Sequence, residues 1–68
     1  MEAKNDKINE ALRYIEAEVY LQNLLIERYY EEVEKSDNTV SRTFWKTKID
    51  AAKSEVLQLE NVKHLLTN

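Results

Sequence analysis

The 68-residue chain contains no cysteine, no glycine and no proline, and only one histidine, one tryptophan and one methionine. Without cysteine there is no disulfide and no thiolate metal site to hold a small fold together. One histidine makes a structural zinc site a poor expectation. Glycine and proline punctuate most turns and hairpins, so a chain with neither predicts long uninterrupted helices and a polar connector. The lack of glycine also excludes a glycine-rich phosphate loop. No apolar run approaches the roughly 20 residues of a membrane span, and the opening MEAKNDKINE has no signal-peptide core. These features lead to the expectation of a cytoplasmic protein with no membrane contact.

Charged residues make up 34% of the chain, with 10 basic and 13 acidic side chains and a net charge of −3. Residues 1–35 hold 5 basic and 9 acidic groups, net −4, and residues 36–68 hold 5 and 4, net +1. Neither half offers the basic surface that phosphate neutralisation needs, so nucleic acid is disfavoured as a partner. A chain this short buries only about 60% of its unfolded surface. Stability is therefore expected from regular helix packing and from association with another chain.

The apolar pattern sets the architecture. Ile8, Leu12, Ile15, Val19, Gln22, Ile26, Tyr29 and Val33 follow steps alternating between four and three. That is a 3.5-residue repeat, the mark of a left-handed coiled-coil-like seam. Only Gln22 is polar. A cluster of Lys35, Ser36, Asp37, Asn38 and Thr39 follows, and any of the last four can cap a new helix. A second seam of the same spacing reads Trp45, Ile49, Ala52, Val56, Leu59, Lys63 and Leu66. The fold class expected is all-α: an antiparallel two-helix hairpin forming one domain over residues 1–68, assembling into a four-helix bundle. The helices are placed at about 6–35 and 40–66 with a turn over 36–39, and the first starts near Lys7 under an Asn5 or Asp6 cap. Residues 1–5, Thr67 and Asn68 are expected to fray.

Folding back inside the polar cluster pairs Val33 with Trp45, Tyr29 with Ile49, Ile26 with Ala52, Gln22 with Val56, Val19 with Leu59, Ile15 with Lys63 and Leu12 with Leu66. The same register sets Glu27, Glu31, Glu32 and Glu34 against Arg42, Lys46 and Lys48, two clusters that each stand at the unfavourable end of their own helix dipole. Lys63 reads as a seam lysine whose stem lies along the core while its head reaches water. Gln22 is either tolerated polarity or a device that sets register. Trp45 reads as a plug for the loop end of the core, with a partner anchor as the alternative.

More apolar residues remain than one seam can use. The stretch Val19–Ile26, VYLQNLLI, is apolar almost all the way round. Leu21 and Leu25 stand nearer the seam, and Ala17, Tyr20 and Leu24 stand behind it. On the second helix Phe44 and Leu57 fall outside the seam. These seven residues form the expected partner interface, since exposed apolar clusters mark interaction surfaces. The partner expected is a second copy or another helical protein.

Catalytic and metal chemistry find little support. Glu60 and His64 stand four apart, the spacing of an ordinary solvated helix contact. Glu27, Glu31 and Glu34 lack the Glu-x-x-His motif of carboxylate metal bundles. No catalytic residue, cofactor, metal ligand or small-molecule substrate is expected.

Two families provide architectural comparisons. In length and hairpin form the chain resembles the Rop-type dimeric bundles that bind RNA, although the acidic first helix lacks their basic face. The second helix, opening on Phe44 and Trp45 and carrying Ala51–Ala52, resembles the YscE-like co-chaperones of type III secretion needle subunits. That likeness implies a larger helical-repeat chaperone as partner. The general expectation is a homodimeric adaptor or regulator, of the kind by which phage and plasmid proteins engage a host protein.

Overall fold

In a computed structural model, the backbone is described for residues 2–67 and the side chains for residues 6–67. Two helices, α1 (Glu2–Lys35) and α2 (Thr39–Thr67), pack against each other as an all-α hairpin. Their 34 and 29 residues correspond to about 51 and 44 Å at 1.5 Å per residue, and the hairpin measures 56 × 15 × 11 Å. Its radius of gyration is 16.0 Å, against about 11 Å for a compact globule of this length.

Both seams are where the periodicity sets them. Every position from Ile8 to Val33 in the first seam, and from Trp45 to Leu66 in the second, is buried or half-buried. On α2, Ser41 alone joins them among the described residues. On α1 a further row at seven-residue spacing is half-buried: Ala11, Glu18, Leu25 and Glu32. Among the described residues only Ile15, Ile49 and Ala52 are buried, each with a few per cent of its surface left in water. A pair of helices has one layer of contact, so most seam residues keep an edge in water.

The helix limits correct two expectations. α1 starts at Glu2 rather than near Lys7, and Thr67 closes α2 rather than fraying. Residues 2–5 thus lie inside α1, and Asn5 and Asp6 do not cap it. Nothing in this segment breaks a helix, and alanine, lysine and glutamate are good helix formers. Met1 and Asn68, also expected to fray, lie outside the described residues.

The connector is Ser36, Asp37 and Asn38. It is built without glycine and without any positive-φ residue among those described. Side chains do what a left-handed C-cap usually does. The Ser36 hydroxyl donates to the Glu32 carbonyl at 2.7 Å, and the Ser36 amide donates to the Val33 carbonyl at 3.2 Å. The Arg42 guanidinium donates to the Ser36 carbonyl at 3.1 Å. Of the candidate caps, Asn38 is used: its side-chain oxygen accepts the Ser41 amide at 2.8 Å, which satisfies a donor that the helix start leaves unpaired.

Candidate interaction surface

The hairpin has two unlike flanks. One is cross-tied. Lys53 Nζ donates to the Tyr30 hydroxyl at 2.8 Å and stands 5.4 Å from the centre of that ring. Lys63 Nζ lies 3.3 Å from Glu16 Oε2. The hydrogen bond to Tyr30 is the main reason that the Lys53 ammonium is held above its ordinary pKa. Half-buried Lys63 reaches Glu16 from within the seam, in the manner expected of a snorkelling lysine.

The expected meeting of charges at the loop end does not take the form of ion pairs. Lys63–Glu16, far from the loop, is the sole pair within 4.0 Å among the described residues. Arg42 is occupied by the Ser36 carbonyl, and Lys48 Nζ lies 5.4 Å from the Phe44 ring centre. Exposed lysines gain about 0–1 kcal/mol from a carboxylate, so a ring face or a carbonyl competes on equal terms.

The other flank carries an open cavity of about 490 Å³. Gln22 and Tyr29 border it from α1, and Phe44, Ala51 and Ala52, with the polar Thr47, Lys48 and Glu55, border it from α2. The two alanines are small, and the space beside them is left unfilled. Trp45 closes the loop end of the core. Its ring lies 5.7 Å from Tyr29 and 5.0 Å from Phe44, the second contact edge-on at 81°. Tyr29, expected in one layer with Ile49, also brings its ring to Trp45, one turn nearer the loop. Gln22 opens onto the cavity, and no buried side-chain polar atom among the described residues lacks a partner.

The seven expected interface residues divide into separate places. Ala17, Tyr20, Leu21, Leu24 and Leu25 form a connected patch on α1, since residues three and four apart are neighbours on a helix. Tyr20 is 68%, Leu21 47% and Leu24 42% exposed. Ala17 is exposed and Leu25 half-buried. Leu21 therefore belongs with Leu24 on the open back of the helix rather than with Leu25 beside the seam. Phe44 is exposed but faces the cavity at the loop end. Leu57 is exposed on α2, about 140° around the helix from Phe44 at 100° per residue, so the two do not share a surface.

Tyr14, 69% exposed, extends the α1 patch by one turn. The signal for it is spacing: Tyr14, Ala17, Leu21 and Leu24 repeat the three-four alternation of the seam, on the opposite side of the same helix.

Glu60 and His64 are exposed, as are Glu27, Glu31 and Glu34. Among the described residues no group of three or more histidine, aspartate or glutamate side chains is placed to hold a metal ion. No described helix is long and apolar enough to cross a membrane. No protein-family model matches the chain, and neither a curated protein nor a solved structure is significantly similar to it.

Proposed function

We propose that this protein is a small protein–protein interaction module, a homodimeric helical adaptor or regulator that works through the back of α1. The observation that carries this reading is the apolar row Tyr14, Ala17, Leu21 and Leu24, exposed in the middle of a long helix. A solvated helix back is ordinarily polar, and contiguous apolar patches mark contact sites.

The surface area supports the reading. The chain exposes 5628 Å², whereas a compact monomer of 8.1 kDa exposes about 4,500 Å². The excess of about 1,100 Å² exceeds the roughly 800 Å² that each partner contributes to an interface of standard size. Burial of one large apolar side chain is worth about 1.5–3 kcal/mol, a large share of the stability of so small a domain.

Light scattering coupled to size-exclusion chromatography tests the proposal. The expected mass is twice the 8.1 kDa chain at micromolar concentration, and a pulldown with the dimer then identifies what it engages. A monomer at every concentration would remove the homodimer and leave a heterologous helical partner, as in the co-chaperone reading. Tight and steeply salt-dependent RNA retention would favour the Rop-like reading instead.

A further inference from the structure

We propose that two copies pair antiparallel, back to back along α1, about a two-fold axis beside residue 19. The proposal rests on the homodimer reading above and specifies its register and partner surface.

The back row extends beyond its apolar centre with the same alternation of threes and fours. In order it reads Lys7, Glu10, Tyr14, Ala17, Leu21, Leu24, Arg28 and Glu31. Lys7, Glu10, Arg28 and Glu31 are all exposed. Laid against its own copy in the opposite direction, the row is complementary to itself. Ala17 meets Leu21 of the second copy, and Tyr14 meets Leu24. Outside them Glu10 meets Arg28, and Lys7 meets Glu31. Along one flank Arg13 comes opposite Glu27, and Tyr20 lies beside its own copy at the axis. By symmetry each pair of opposite charges occurs twice.

Other arrangements lose this match. A parallel pairing sets Glu10 against Glu10 and Arg28 against Arg28. A slip by seven residues sets Tyr14 and Ala17 against Glu31 and Arg28. A square four-helix bundle, formed when flanks of the hairpins meet, takes charged rows into its interior: Glu18 and Glu32 with Lys48 and Glu55 on one flank, or Glu16 with Lys46, Lys53 and Glu60 on the other. Taking so many charges out of water carries a desolvation cost of several kcal/mol per ion. Back-to-back pairing leaves both flanks in water. The four helices then lie in one layer, α2 and α1 of one copy followed by α1 and α2 of the other. One contact opposes the pairing: Glu18, half-buried beside the axis, approaches its own copy.

A charge swap tests the register, with sedimentation equilibrium reading the dimer and circular dichroism reading the fold. Arg28→Glu and Glu10→Arg are each expected to weaken dimerisation by about tenfold with helicity unchanged. The double variant, which restores opposite charges across the axis only in the antiparallel register, is expected to return to within about twofold of the original chain. Glu18→Gln is expected to tighten the dimer. If the original chain is a dimer but the double variant is no better than the single ones, the register is wrong and the homodimer stands. If the original chain is a monomer, both fall. Two single variants that leave the dimer unchanged would also overturn the proposal.

Discussion

On its front α1 carries Ile8, Leu12, Ile15, Val19, Gln22, Ile26, Tyr29 and Val33, and on its back Tyr14, Ala17, Leu21 and Leu24, both at alternating steps of four and three. The front row is buried or half-buried throughout its length. The back row has half as many residues, is bounded at each end by charge, and is open. On the proposed reading, the shared spacing gives one helix two contact faces. The difference in length separates their roles. A row running the whole helix makes the hairpin, while a short row with charged ends suits an encounter whose register has to be specified.

The sharpest break in the comparison comes from opposite substitutions on the two faces. Ile49, 4% exposed, is the α2 residue held most deeply against the front row. Ile49→Ala is expected to destabilise the hairpin by about 2–5 kcal/mol, read as a lowered melting temperature by circular dichroism. An unchanged melting temperature would show that the seam does not hold the fold. On the back, Leu21→Ala is expected to leave helicity intact while weakening association by about 1.5–3 kcal/mol, read by sedimentation. Should it unfold the chain instead, the two faces are not separable.

A smaller effect is expected where the faces end, at the connector. Asn38→Ala removes the oxygen that accepts the Ser41 amide and is expected to cost about 1 kcal/mol. Asn38→Asp should retain the cap. The smallest effect belongs to the cross-tied flank. Because the Lys53 pKa is raised in the fold by the hydrogen bond to Tyr30, this tie is fully present below the ordinary lysine pKa and is lost as pH rises through the folded one. Tyr30→Phe is expected to return the Lys53 titration, followed by NMR, toward its ordinary value with little change in melting temperature. A Lys53 titration unchanged in that variant would rule out the hydrogen bond as its cause.

The front row was legible because strict period, absence of glycine and proline, and a single polar cluster all agree on one hairpin. The seam from Ile8 to Val33 and from Trp45 to Leu66 follows from spacing alone. What spacing does not determine is which of several equal local choices is made. Ser36, Asp37, Asn38 and Thr39 all have capping oxygens, and only the path of the connector selects Asn38. Register sets Glu32 level with Lys46, but half-buried Glu32 stands on the flank of Lys48 while Lys46 stands on the other, and among the described residues the ion pair within 4.0 Å is Lys63–Glu16. The early start of α1 is not legible, because a cap residue at Asn5 or Asp6 only permits a helix to begin and does not stop one. In the candidate surface, Tyr20, Leu21 and Leu24 were readable as surplus. Phe44 and Leu57 share their hydrophobicity, and helical angle separates the two.

The central claim is that the back of α1 is a contact face independent of the fold. Sedimentation equilibrium of Leu24→Glu, with circular dichroism on the same samples, tests it most directly. Leu24 is 42% exposed in the hairpin, so the substitution places a carboxylate where water already reaches and leaves the single chain helical. In the dimer it buries that charge against the second copy, at a cost of several kcal/mol. The expected result is an unchanged helical spectrum with the mass of a single chain, where the original protein sediments as two. An oligomer of unchanged mass in a fully helical Leu24→Glu protein would contradict the account and make the back of α1 ordinary solvated surface.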